Sequence, residues 1–417
     1  MNGLDARDRA LVTRLVLGVT ATCGMLDEVL QSHLKRGRLE PKVRDAMRLG
    51  AYELLFCDTP ASAAVSQAVE LVRGASPRAA GLANAVLRRV ATEDVLARNE
   101  VLARVADGTY DVSDLALASG YPRWILQSIC DEQGLGAARG VAQSALEPAP
   151  VYVAANECLL PAEDARRALE EQGLGPVTEN LSSAFRLKNP AGLATSGLVE
   201  SVRVVVADLS AQRVAAMVAP DYDATLLEVG QGRGTKSILI QNAARRHGAN
   251  VEHTGVDSEE FKVRVAAERM ARAGIGERVS CECMDARVLG DRGGEATDAG
   301  IRDTYDVVFV DAPCSGTGTL RRHPEITWSL TCDDVRELAA LQRSILRAAS
   351  CRVTPGGRLF YSTCSVLKAE DEEVVQAFVR DAGGDFELVG EPFRSFPELD
   401  GPDGHFCAEL RRRPYVW

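Results

Sequence analysis

Between residues 225 and 379 short β-rich runs alternate with longer segments whose apolar residues recur at helical spacing, and that alternation leaves few folds open. Strands are read at Thr225 to Val229, His253 to Val256, Val279 to Cys283, Tyr305 to Val310 and Arg358 to Tyr361. Helices are read at Lys236 to Ala244, Glu259 to Ala273, Asp333 to Ala349 and Asp371 to Val379. Strands separated by helices cannot pair as hairpins. They return to the sheet by right-handed crossovers, so a largely parallel, Rossmann-like α/β domain is expected over residues 216–417. In an open sheet of this kind ligands bind just beyond the carboxyl ends of the strands, which makes the residues there the first candidates for chemistry.

Two of those ends carry cysteines. Val307-Val308-Phe309-Val310 runs into Asp311-Ala312-Pro313-Cys314-Ser315-Gly316-Thr317-Gly318, and Arg358-Leu359-Phe360-Tyr361 runs into Ser362-Thr363-Cys364-Ser365. The topology aims both thiols into one crevice from different strands. A thiolate is a strong nucleophile, and by adding across C6 of a pyrimidine it makes C5 reactive toward an alkyl donor. The competing readings are a disulfide, a metal site, or buried thiols acting as small hydrophobes. The charged N-terminus is no secretory signal and ligand-type CxxC spacing is absent, so neither a disulfide nor a bound metal is expected.

A glycine-rich turn, Glu228-Val229-Gly230-Gln231-Gly232-Arg233-Gly234-Thr235-Lys236, follows the first of these strands. Glycines let the backbone double back between strand and helix and approach a ligand closely. Nucleotide-dependent dehydrogenases use a similar turn, and Asp257 at the end of the next strand can accept ribose hydroxyls of either cofactor. The fuller set favours S-adenosylmethionine: Asp285 follows the third strand, where it would meet an adenine amino group, and Asp311 follows the fourth, beside the reacting atoms.

The rest of the 417 residues divides in two. Residues 1–95 read as an all-α domain, with apolar positions at helical spacing around Leu11, Leu15, Val19, Leu26, Leu30, Met47 and Leu54 and two more helices at Ala61 to Val72 and Ala80 to Val90. Residues 96–215 read as connector helices followed by strands and a helix at Val151 to Ala154, Ala162 to Gln172 and Val202 to Val206, which resemble the small α+β, RRM-like domain that precedes the catalytic domain of RNA 5-methylcytosine methyltransferases. The net charge of −11 speaks against tight non-specific binding to nucleic acid, but it is uneven: residues 1–90 carry 13 Lys/Arg against 9 Asp/Glu, a balance of +4. No uninterrupted run of about 18 apolar residues is found, so no membrane partner is expected. Eleven cysteines without framework spacing suit a reducing, cytoplasmic setting, and a monomer is expected.

The segments around Cys314 and Cys364 resemble, in order and spacing, the fourth and sixth motifs of the RNA 5-methylcytosine methyltransferases. That resemblance makes Cys364 the nucleophile and Cys314 the group that assists breakdown of the covalent adduct, with Asp311 hydrogen-bonded to the base. It gives Gly230, Gly232 and Gly234 the methionine part of the cofactor and Lys236 the end of the first motif, with Glu228, Asp257, Asp285 and Asp311 completing the pocket. The chain departs from the family's usual Ala-Ala-Pro-Gly-Gly-Lys loop, having Gln231-Gly232-Arg233-Gly234-Thr235-Lys236 instead. Arg48 to Leu55, Ala63 to Val65 and Gly81 to Arg89 resemble the RNA-binding helical domain of the antitermination factor NusB, which implies small-subunit ribosomal RNA as substrate and Arg88 and Arg89 as phosphate contacts. A helix C-terminus also favours such arginines without RNA. Arg321 and Arg322, before Pro324, read equally as RNA contacts or surface residues, and Glu370-Asp371-Glu372-Glu373 reads as the acidic start of a helix. The open alternatives are a transfer RNA methyltransferase, a non-catalytic RNA-binding factor with a decayed catalytic domain, and a dehydrogenase, which explains neither cysteine.

Overall fold

The structure is a computed structural model and describes residues 5–34, 37–145, 147–291 and 300–414. The chain forms two compact units, one of residues 1–148 with 320–331 and one of residues 149–319 with 332–417. The stretch 96–215 is therefore shared between them: its helices up to Pro148 belong to the first unit, its small sheet to the second.

The first unit is helical: α1 (Ala6–Ser32), α2 (Pro41–Phe56), α3 (Ala61–Ala75), α4 (Ala80–Arg89), α5 (Val95–Asp107), α6 (Val112–Ser119), α7 (Arg123–Gln133) and α8 (Leu135–Ser144). Pro41 opens α2, where its missing N–H costs nothing, and Gly108 and Gly120 end α5 and α6 in the left-handed conformation. Leu26, Leu30, Met47, Leu55, Val72 and Leu87 form an apolar core among α1 to α4. The α1 helix holds an 18-residue window of mean hydropathy 1.4, long and apolar enough by length and composition to cross a membrane. Thr13 and Arg14 keep it from being an uninterrupted apolar run. Its C-terminal half, through Met25, Leu26 and Leu30, is core of the helical unit.

The segment 320–331 lies in this unit although sequence places it after the first cysteine loop. Trp328 donates its indole N–H to the Ala21 carbonyl at 2.8 Å and covers Gly24, where a Cβ would stand 2.0 Å from the ring. Arg321 and Arg322 are half-buried there and Pro324 is buried. Of the two α4 arginines, Arg89 is paired with Glu93 one turn on, and Arg88 is exposed.

The second unit begins with a four-stranded antiparallel sheet from β1 (Tyr152–Ala155), β2 (Pro176–Thr178), β3 (Ala184–Leu187) and β4 (Val204–Val206), in the order β2-β3-β1-β4 and packed against α9 (Ala162–Glu171). After α10 (Leu209–Val218) come β5 (Ala224–Val229), α11 (Thr235–Arg246), β6 (Val251–Asp257), α12 (Glu260–Arg272), β7 (Val279–Cys283), β8 (Tyr305–Asp311), α13 (Cys332–Ser350), β9 (Val353–Thr363) and α14 (Glu372–Asp381). The chain ends on β10 (Phe386–Leu388), β11 (Phe393–Ser395) and β12 (His405–Arg412). These strands form one sheet in the order β10-β12-β9-β8-β5-β6-β7, with β11 beside β12. Neighbours from β9 to β7 are parallel and the β10, β11 and β12 edge is antiparallel, so the sheet is mixed. The order reverses between β5 and β8. That switch point is where a crevice opens at the carboxyl ends of the strands.

Arg352 shows how the cofactor half of the sheet is pinned. Fully buried, it donates to the carbonyls of Leu289 and Asp291, both at 2.7 Å, and of Arg302 at 3.3 Å. Arg352→Met keeps the stem and orphans three carbonyls, an expected loss of about 3 kcal/mol or more. An unfolding transition in urea whose midpoint equals the parent's would contradict that role.

Candidate active site

The residues at the switch point converge on two sulfur atoms. Cys314, past the end of β8, and Cys364, past the end of β9, have their Sγ atoms 3.2 Å apart, and Cys314 Sγ also accepts the Cys364 backbone N–H at 3.3 Å. The pairing of β8 with β9 sets this up, because Asp311 lies opposite Ser362 and the Ala312 N–H bonds the Ser362 carbonyl at 2.9 Å. Past the strands the loops stay stitched together. The Gly318 N–H donates to the Cys364 carbonyl at 2.9 Å, and a Cβ on Gly318 would stand 2.2 Å from the Gly404 carbonyl oxygen. Only glycine fits that approach.

The two thiols are not equivalent. The hydrogen bond from Cys314 holds Cys364 below its ordinary value, opposed by burial and helped by the Lys236 ammonium. The same bond, with burial added, pushes Cys314 well up. The contact thus favours ionisation of Cys364 over that of Cys314.

Beside them Lys236 donates to Asp311 Oδ2 at 2.6 Å, both side chains mostly buried. Burial pulls Lys236 down, but the carboxylate outweighs it and the ammonium stays charged. Burial lifts the Asp311 carboxyl, with Lys236 pulling the other way.

The glycine-rich turn between β5 and α11 wraps the adjacent space. Gly230, Gly232 and Gly234 all have positive φ, at 81°, 59° and 74°. At Gly230 the space is also missing, since a Cβ would stand 2.2 Å from the Asp311 carbonyl oxygen. Asp257, at the end of β6, accepts the Gly232 N–H and the Glu259 N–H, each at 2.9 Å, and so fixes the turn as well as ending the strand. Asp285 caps the short helix after β7, and its carboxylate is held low by hydrogen bonds from the Arg287 guanidinium and backbone N–H. Glu228 is fully buried, its carboxylate bonded by the Ser237 hydroxyl and 3.0 Å from His253. It supports the turn from beneath.

The departure in the turn is absorbed locally: Gln231 is buried, donates to Ser237 at 3.0 Å, and packs where a Cβ on Gly255 would fall. A turn of positive-φ glycines with Asp257 and Asp285 at the ends of the next two strands could hold a nucleoside with a charged amino-acid tail, the aspartate carboxylate oxygens accepting hydrogen bonds.

Behind the thiols lies a group that reads in sequence only as the acidic start of a helix. Glu372 and Glu373 do occupy the first turn of α14. Glu370 and Asp371 are fully buried instead. Asp371 accepts from Thr363 at 2.5 Å and from Arg394 at 3.0 Å, and Glu370 is hydrogen-bonded to the serines that follow each cysteine.

Comparison with known proteins decides what this arrangement belongs to. The family described as 16S rRNA methyltransferase RsmB/F matches residues 215–411, and the NusB family matches residues 1–92. The ribosomal RNA small subunit methyltransferase B of Erwinia tasmaniensis is 30% identical over 97% of this chain and 90% of its own length. The chain belongs to the ribosomal RNA small subunit methyltransferase B family. The Cronobacter sakazakii member is likewise 30% identical, over 98% of the chain and 91% of its own. A member of this family is an S-adenosylmethionine-dependent RNA methyltransferase. The fold agrees. The crystal structure of PH0851 superposes with a TM-score of 0.78 at 21% identity over 99% of this chain and 92% of that one. That of NSun6 from Pyrococcus horikoshii gives 0.59 at 18%, over 70% and 99%.

Proposed function

We propose that this family member methylates C5 of a cytosine in small-subunit ribosomal RNA through a covalent bond between Cys364 and C6 of the base. The observation that carries the reading is the 3.2 Å separation of the Cys314 and Cys364 sulfurs next to the Lys236–Asp311 pair at the switch point of the sheet. The family's ribosomal relatives and the NusB match to residues 1–92 support the choice of RNA.

The target cytosine leaves its stack to reach the crevice, as any base modified at a ring atom must. The Cys364 thiolate then forms a bond to C6, and the C5–C6 π electrons move to C5 while Asp311 hydrogen-bonds N3 and the exocyclic amine. S-adenosylmethionine, when bound against Gly230, Gly232, Gly234, Asp257 and Asp285, supplies the electrophilic methyl carbon. Once C5 carries the methyl group, a base positioned by Cys314 takes the C5 proton and passes it to solvent. The electron pair left behind re-forms the C5–C6 double bond and expels Cys364 as thiolate.

The pH dependence follows from the charges around Cys364. Its pKa lies below the ordinary thiol value of 9.0, so the rate is expected to rise with pH through a midpoint below that value. Lys236→Met removes a charge that favours the thiolate and should move this limb to higher pH; a limb left in place would show that the ammonium does not act on Cys364. The product itself is the direct test. Small-subunit ribosomal RNA incubated with protein and labelled cofactor, then digested to nucleosides, should give 5-methylcytidine, whereas any other labelled nucleoside, or label only in transfer RNA, would overturn the assignment.

A further inference from the structure

We infer that Glu370 is a positioning residue: its buried carboxylate ties the two cysteine loops together and sets the separation and relative orientation of Cys314 and Cys364. The inference rests on the covalent reading above.

Glu370 has no exposed surface, yet nothing cationic pairs with it among the described residues. Its charge is met by four donors instead. Oε1 accepts the Ser315 N–H at 2.8 Å and the Gln342 amide at 3.0 Å, while Oε2 accepts the hydroxyls of Ser315 and, at 2.7 Å, Ser365. Ser315 follows Cys314 and Ser365 follows Cys364, so one carboxylate grips the residue next to each thiol.

The rest of the cage repeats the pattern. Gln342, from α13, uses the same amide group to reach the Pro313 carbonyl at 2.9 Å. The Thr317 hydroxyl joins Ser315 at 3.2 Å and Ser365 at 3.0 Å. The Tyr361 hydroxyl donates to the Glu370 carbonyl at 2.5 Å and fixes the residue from below. A neutral side chain would satisfy fewer donors in this cage. A buried charge without a cation is costly, and it persists where the surrounding donors hold it in one place.

The charge has a second consequence. Cys364 feels Cys314, Lys236, Asp311 and Glu370; Glu370 in turn faces Cys314, Tyr361 and Asp371. Being negative, it opposes ionisation of both thiols, which helps Cys314 keep its proton. Geometry and charge can therefore be separated by substitution. Glu370→Ala removes both. Glu370→Gln keeps the shape and loses the charge, and Glu370→Asp keeps the charge and draws it back by one methylene.

The test is single-turnover methylation of ribosomal RNA across pH by the full chain. For Glu370→Ala, kcat should fall about 100-fold, the effect of a misplacement near 1 Å, with KM for cofactor and RNA within about threefold of the parent. Glu370→Gln should recover at least about tenfold of that loss and show its acid limb at lower pH than the parent. Glu370→Asp should lose rate with the limb unmoved. A folded Glu370→Ala protein with the parental kcat, or a Glu370→Gln profile that superimposes on the parent's, overturns the inference. If Glu370→Ala fails to fold, the Gln and Asp profiles decide alone. A parent that makes no 5-methylcytidine sinks the covalent reading itself, a result distinct from a normal parent with indifferent Glu370 variants.

Discussion

Cys364→Ala should lose at least about three orders of magnitude in methylation rate, while Cys314→Ala should lose rate by trapping the protein on its RNA. The two sulfurs touch, yet the asymmetry between them predicts opposite phenotypes. Without Cys364 no bond to C6 forms, C5 stays a poor nucleophile, and cofactor binding is untouched. Without Cys314 the thiolate still adds and C5 still takes its methyl group, but the C5 proton leaves slowly and the adduct persists. Denaturing gels on unmodified RNA read the difference directly: a shifted band for Cys314→Ala and none for Cys364→Ala. Equal band patterns from the two variants would remove the division of labour, and a shifted band from Cys364→Ala would transfer the nucleophile's role to Cys314.

The second large effect is expected at Asp311. Asp311→Asn preserves the outline of the side chain but leaves the Lys236 ammonium, now 2.6 Å from an amide, without its counter-charge in a mostly buried site. It also removes the acceptor meant for the exocyclic amine of the base. A loss of about 10² to 10³ in kcat is expected, in line with removal of one charged group that stabilises a developing charge. The check is kcat from single-turnover kinetics with cofactor affinity measured separately by calorimetry. Affinity that falls as far as kcat would mean that Asp311 holds the cofactor and nothing more.

Much of the catalytic unit could be read from residues alone because its strands obey a strong rule. Val307 to Val310, buried on both faces, reads as a continuous apolar run, and each such run ends in a turn residue that marks the site edge. Hence Asp311, Cys314, Lys236 and Cys364 are all legible in the sequence, and the fold brings them together. The antiparallel edge was not visible. The β10 and β11 strands have three residues each, too few for a period of two to declare itself, and they owe their conformation to β12. The three-residue β2 and four-residue β3 strands of the small sheet are likewise too short to show that period, and they pair with each other. Glu370 escaped for a different reason: an acidic run before a helix looks solvated, and only the fold shows that its first two members are enclosed by serines, a threonine and Gln342. Gln342 itself carries no sequence signal, since it sits mid-helix and its partners lie 28 and 29 residues away.

The central claim is the bond between Cys364 and a pyrimidine, and one measurement addresses it. Small-subunit ribosomal RNA in which cytosine is replaced by 5-fluorocytosine is incubated with the parent protein and S-adenosylmethionine, and the product is analysed by mass spectrometry after nuclease and protease digestion. Fluorine at C5 cannot leave as a cation, so elimination is blocked and the account predicts a peptide containing Cys364 joined to a methylated fluoropyrimidine nucleotide. Recovery of unmodified Cys364 peptide from a protein that methylates ordinary RNA under the same conditions would contradict it.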